Sequence, residues 1–171
     1  IMQLGVKRIS VKAPAKNPNI TLAWKVPKID PKALDSKDPF ALDVLSAILD
    51  GHANARLNRS IVKKQRLADS IDASYDSIGR GPQLFMVSAV PATNRSLGQI
   101  EAAVKESLAT IVKEGVTAAE LNRVKTQLLA GQIYKRDSVF GQAMEIGISE
   151  VNDISWKNID RLVEATQQVT S

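Results

Sequence analysis

The sequence predicts an α+β domain in which a mixed or antiparallel sheet carries helices packed on one face. Three observations point there. Ile20, Leu22, Trp24 and Val26 alternate with small or polar residues, the period-two signature of a half-buried strand. Leu97, Ile100, Val104, Leu108 and Ile111 recur at spacings of three and four, the stripe of an amphipathic helix. The patterns also come in the order strands, helices, strand pair and a run of helices, which suits a layered α+β structure rather than alternating βαβ units.

The elements follow in chain order. Val6 to Lys12 alternates loosely and reads as a first strand, closed by the punctuation Pro14-Ala15-Lys16-Asn17-Pro18. The cleaner strand Ile20–Val26 is stopped by Pro27. A helix starts at Asp38, with Pro39 where its missing N–H costs nothing, and Ala41, Val44, Leu45 and Ile48 form its buried stripe. Gly51 suits the left-handed position just past a helix end. A shorter helix is expected from about Asn54 to Gln65, with Leu57 and Ile61 one turn apart. Ile71, Ala73 and Tyr75 alternate, Gly79-Arg80-Gly81-Pro82 signals a turn, and Leu84 to Val90 is apolar on both faces, so a hairpin whose second strand is covered on both sides is expected. Gly115 ends the long helix. Thr117-Ala118-Ala119-Glu120 is the pattern of a capping box, in which the glutamate reaches back to the cap. Leu121, Val124 and Leu128 continue as a stripe, and helical patterning runs on from Ser138 to Glu150 and from Ser155 to Val169. Gly141 and Gly147, inside a helix, suggest close packing.

Composition narrows the functional classes. With 171 residues, 44% of them apolar and 24% charged, the chain is one ordinary globular domain that needs no metal or disulfide to fold. The run Leu84-Phe85-Met86-Val87 is far short of the ~20 residues a spanning helix needs, so no membrane span is expected. The absence of cysteine excludes thiol catalysis, disulfide frameworks and zinc fingers and leaves the redox compartment open. The chain opens at Ile1 with no signal-peptide core, as a processed product or an excised piece would.

The net charge of +5 is unevenly spread. Residues 1–37 hold eight basic and two acidic residues, while the remainder is close to neutral. Of the aromatic residues only Trp24 falls in that basic stretch, too few for base stacking, so the lysines read as the wet sides and ends of two strands.

No set of residues makes a complete active site. His52 is the single histidine, and catalytic zinc sites usually use two or three. Asp50 is close in sequence, but residues that near along a chain rarely converge on one point, so His52 reads as a loop histidine. Phosphate-loop, dinucleotide and nucleophile-elbow patterns are absent. The pairs Asp69/Asp72 and Glu145/Glu150 have no partner that would tune them and read as solvated charges. Catalytic, cofactor-binding and metal-ligating residues are therefore all expected to be none in this chain.

One stretch adds a further expectation. Gly51-His52-Ala53-Asn54-Ala55-Arg56-Leu57, running on through Lys63-Lys64-Gln65-Arg66-Leu67-Ala68, resembles a segment of the M16 zinc peptidases, the family of pitrilysin, insulin-degrading enzyme and mitochondrial processing peptidase. The helix Asp38-Pro39-Phe40-Ala41-Leu42 leading into Gly51, the strand Gly81-Pro82-Gln83-Leu84-Phe85 and the run Glu114-Gly115-Val116-Thr117 through Glu120-Leu121 and Lys125 fall in the family's order, over residues 19–150.

The resemblance implies the second, non-metal-binding C-terminal domain, with the M16 processing-peptidase-like fold over residues 1–171, in a parent subunit of the bacterial type. In that family zinc is held by an H-x-x-E-H motif and a downstream glutamate in the first domain, so zinc is expected upstream of this chain. Many relatives place in this half an arginine and, seven residues on, a tyrosine that hold substrate. Aligned on Arg56-Leu57, those positions are Val62 and Asp69. The expected partners are an upstream catalytic domain of the same polypeptide, a peptide or unfolded protein substrate and a second M16 subunit, identical or not. The periplasm is favoured as compartment. Two alternatives stay open: the structural domain of an inactive M16-like subunit, and a basic nucleic-acid-binding α+β module.

Overall fold

A computed structural model describes residues 5–171. The sheet has three antiparallel strands, β1 (Ile20–Val26), β2 (Ala68–Ser74) and β3 (Gln83–Pro91), in the order β1-β3-β2. Leu22 pairs with Val87, and Ile71 with Ala89, so the apolar parity of all three strands falls on one face. The β2–β3 hairpin is as expected from the sequence, with an irregularity between Ala68 and Ser70.

Helices cover that face. α1 (Asp38–Asp50) separates two cores. On one side, Leu49 joins Leu57, Ile61, Ile71, Phe85, Val87 and the long helix α2 (Leu97–Glu114), whose Ile100 and Val104 are fully buried. On the other, Phe40, Val44 and Ile48 meet Leu121 and Val124 of α3 (Ala118–Arg136), with Leu162 and Ala165 of α5 (Ile159–Gln167) beside them. α4 (Val139–Val151) is joined to α5 by a 3-10 turn, Trp156–Asn158.

Six expectations need correction. Val6–Lys12 forms no strand, and Val6, Ile9 and Val11 are exposed. Strand formation needs a ladder partner as well as a suitable pattern, and none among the described residues lies beside it. The face of β3 opposite the helices is bare, with Leu84 39% and Met86 36% exposed, because every helix sits on the other side. Gly51 is not left-handed, at φ −65°. It is a glycine position because a Cβ there would lie 2.5 Å from the Ala47 carbonyl oxygen.

The helix expected over 54–65 is shorter and wound as a π-helix over Asn58–Lys64, closed by Gln65 N–H donating to the Ser60 carbonyl at 2.9 Å and by Arg66 at φ +51°. The Thr117 side chain caps α3 by accepting from Glu120 N–H, but Glu120 does not reach back, since its carboxylate is taken by Arg56. The complete capping box is at Ser96 and Gln99 instead. Of the two helical glycines, Gly141 has the Lys135 carbonyl where a Cβ would go, but Gly147 has nothing near it.

Candidate functional site

Two surfaces are candidates for contact with another molecule. The first is the bare face of the sheet. Thr21, Ala23 and Lys25 of β1, Leu84, Met86 and Ser88 of β3 and Asp72 of β2 point away from the helices by parity. Thr21 and Ser88 hydroxyls lie 3.1 Å apart across the ladder. Asp72 has its pKa raised, first by burial and then by the Asp50 charge. The face is mixed: small, hydroxylic and apolar side chains with a few charges.

The second is a cleft of about 700 Å³ between α1, the loop after β2 and α4. Asp43, Ala47 and Asp50 line it from α1 at helical spacing, and Tyr75 and Ser77 from the loop. Burial pushes the Asp43 carboxyl up to about 6. A hydrogen bond with Ser77 works against that shift, and the Asp76 charge adds to it. Burial, with the Asp43 and Asp76 charges, also pushes the Tyr75 phenol up to about 12, while its hydroxyl donates to the Pro27 carbonyl at 2.6 Å. Such a group can hold a proton.

His52 is not in the cleft. Its Nδ1 accepts the Asn54 N–H at 3.1 Å. Asp50 accepts from the Asn58 amide at 2.6 Å and from Ala73 N–H at 3.2 Å, so neighbouring backbone and amide groups occupy it. Among the described residues no group of three histidine or acidic side chains could hold a metal ion, and a zinc does not fit what is present. Val62 is half-buried against the first core and Asp69 is exposed on β2. Asp43 escaped the sequence reading, although its position one turn before Ala47 and two before Asp50 puts it on a polar flank of α1 that a helical projection exposes.

The motifs that carried the family resemblance are joined in space. The Arg56 Nε and Nη2 donate to the two Glu120 carboxylate oxygens at 2.9 and 2.5 Å, and Nη2 reaches the Gly115 carbonyl at 3.4 Å. The pair is largely shielded from water, with side chains 18% and 14% exposed. Its hydrogen bond lowers the Glu120 pKa. Arg56 therefore clamps the entry of the π-helix onto the start of α3.

The sequence pattern of the peptidase M16 inactive domain matches residues 3–128. The chain belongs to this M16 family. Its similarity to named proteins agrees: it is 26% identical over 132 residues to an uncharacterized zinc protease of Mycobacterium leprae, covering 77% of this chain and 29% of that protein. It is 24% identical over 130 residues to the uncharacterized zinc protease YmxG of Bacillus subtilis, covering 76% and 31%. The chain thus spans less than a third of these curated relatives. Among solved structures, a protease from Helicobacter pylori superposes with TM-score 0.82 at 21% identity, over 93% of this chain and 37% of that one. The inactive peptidase domain of a candidate zinc protease from Bordetella parapertussis gives 0.79 at 14% identity, over 95% and 84%. The α+β fold expected from the sequence is that of M16 inactive domains. Among the described residues of this M16 domain no helix is long and apolar enough to cross a membrane.

Proposed function

We propose that this M16 domain is the non-catalytic half of a zinc metallopeptidase subunit and closes a peptide chamber opposite an upstream H-x-x-E-H domain. One observation carries the reading: an inactive-domain match joined to zinc-protease relatives of which the chain spans less than a third. The bare sheet face supports it. It is broad, wet and mixed in character, as the wall of a water-filled compartment facing unfolded peptides must be, and it offers no group that would attack a peptide bond. With valine at 62 and aspartate at 69, this half supplies no guanidinium or phenol at the two positions aligned with the family's substrate-holding pair. It acts by shaping space, and the zinc sits in the upstream domain. The subunit works as a homodimer or heterodimer on peptide or unfolded protein substrates.

The test is to read and express the full gene that encodes the chain. The parent is expected to carry the H-x-x-E-H motif, to bind one zinc and to digest peptides, while the 171-residue chain does neither. Stoichiometric zinc with digestion by the chain alone overturns the reading. A parent without the motif points instead to a structural, catalytically silent subunit.

A further inference from the structure

The segment from Val6 to Lys12 has the pattern of a strand and the surroundings of none. It runs without turn or bend, and among the described residues its backbone N–H and C=O groups have no backbone partner. Ile9 is 70% and Val11 80% exposed, so an apolar pair of one parity stands in water. Yet the segment is held in place. The Arg8 guanidinium reaches both oxygens of Glu101 on α2 at 2.9 Å, and Lys105 braces the same carboxylate at 2.8 Å. That tether fixes the segment to α2, and β1, whose ladder partner is β3, makes no ladder with it.

We propose that residues 6–12 are a β-strand that completes the sheet of the upstream domain of the same polypeptide, by main-chain pairing along an exposed edge. The inference rests on the reading above in taking such a domain to exist. Three observations select this partner. The curated relatives have more than two thirds of their length outside the region this chain matches, so there is ample chain to supply an edge. The family match begins at residue 3, so the segment belongs to the domain pattern rather than to a variable tail. Lys7, Arg8 and Lys12 disfavour a second copy: self-pairing would set like charges against one another, whereas a neutral or acidic strand receives them.

Amide hydrogen exchange on peptides spanning residues 5–19, measured on the 171-residue chain and on the full parent polypeptide, tests this. In the chain alone the amides of residues 6–12 are expected to exchange at nearly free-chain rates. In the parent they should slow by at least about 100-fold, as laddered amides do. Ile9→Pro in the parent is expected to remove that protection and to leave the thermal midpoint of the isolated chain unchanged. Equal, fast exchange in both proteins overturns the proposal, as does protection in the isolated chain that grows with its concentration, which would mean a second copy. Zinc content of the same parent preparation separates the two readings. Zinc present with an unprotected segment refutes only the strand. A protected segment without zinc refutes only the protease reading. A gene lacking any upstream domain refutes both.

Discussion

α2 and α4 are both amphipathic helices that begin at a serine cap, yet they end in different surroundings. α2 lies along the sheet and buries Ile100, Ala103 and Val104. α4 buries only Ser149 and leaves Val139, Phe140, Met144, Ile148 and Val151 in contact with water. The difference is one of support. α2 has β1, β3 and the π-helix beneath it, whereas α4 rests on α3 and the 3-10 turn, with the cleft holding it off α1. An apolar stripe fixes which face of a helix prefers to be covered, and whether a cover exists is a property of the layers around it.

Core truncation should show the contrast most strongly. Ile100→Ala is expected to lower unfolding free energy by about 3–4 kcal/mol, whereas Met144→Ala, with half its side chain already wet, should cost under about 1 kcal/mol. Chemical denaturation of the two variants measures this, and equal losses would mean α4 is as well packed as α2.

The cleft beneath α4 gives the next effect. Asp43 binds its proton more tightly in the folded state, so its contribution favours folding at low pH and is lost as pH rises through about 6. Asp43→Asn should therefore raise stability near neutral pH by about 2 kcal/mol and change little near pH 4, read as thermal midpoints across a pH series. A gain independent of pH would mean the carboxylate is solvated, with α4 standing further from α1.

Between the two halves lies the Arg56–Glu120 clamp. Arg56→Ala should cost about 2 kcal/mol, because it leaves a shielded carboxylate without its donor. A double-mutant cycle with Glu120→Gln should return most of that as coupling. Additive losses would show that the clamp holds nothing together. The smallest effect is at the caps. Ser96→Ala should cost about 1 kcal/mol globally. Ser138→Ala, which removes the bond from Gly141 N–H, should leave the global midpoint unchanged and speed exchange only in α4, since a weakly supported helix opens locally.

What was legible in the sequence tracks how local the cause is. Val6–Lys12 and Ile20–Val26 have similar patterns, but β1 is laddered to β3 and the former has no ladder partner among the described residues. Glu120 was placed correctly near a cap, yet its partner proved to be Arg56, 64 residues away, a distance the capping pattern cannot report. Asp43 was passed over because a single aspartate in a helix is unremarkable until a tertiary wall removes its water.

By itself, the sequence determined the α+β class, the hairpin, the helical stripes and the stop at Gly115, because periodicity and turn chemistry act over a few residues, and its quoted motifs carried the M16 resemblance. Tertiary structure alone decided which apolar faces found a cover, that the sheet's second face stays bare, that the short helix widens into a π-helix, and that Arg56 and Glu120 meet. Those outcomes depend on distances between segments remote along the chain, and a pattern read along one dimension holds no record of them.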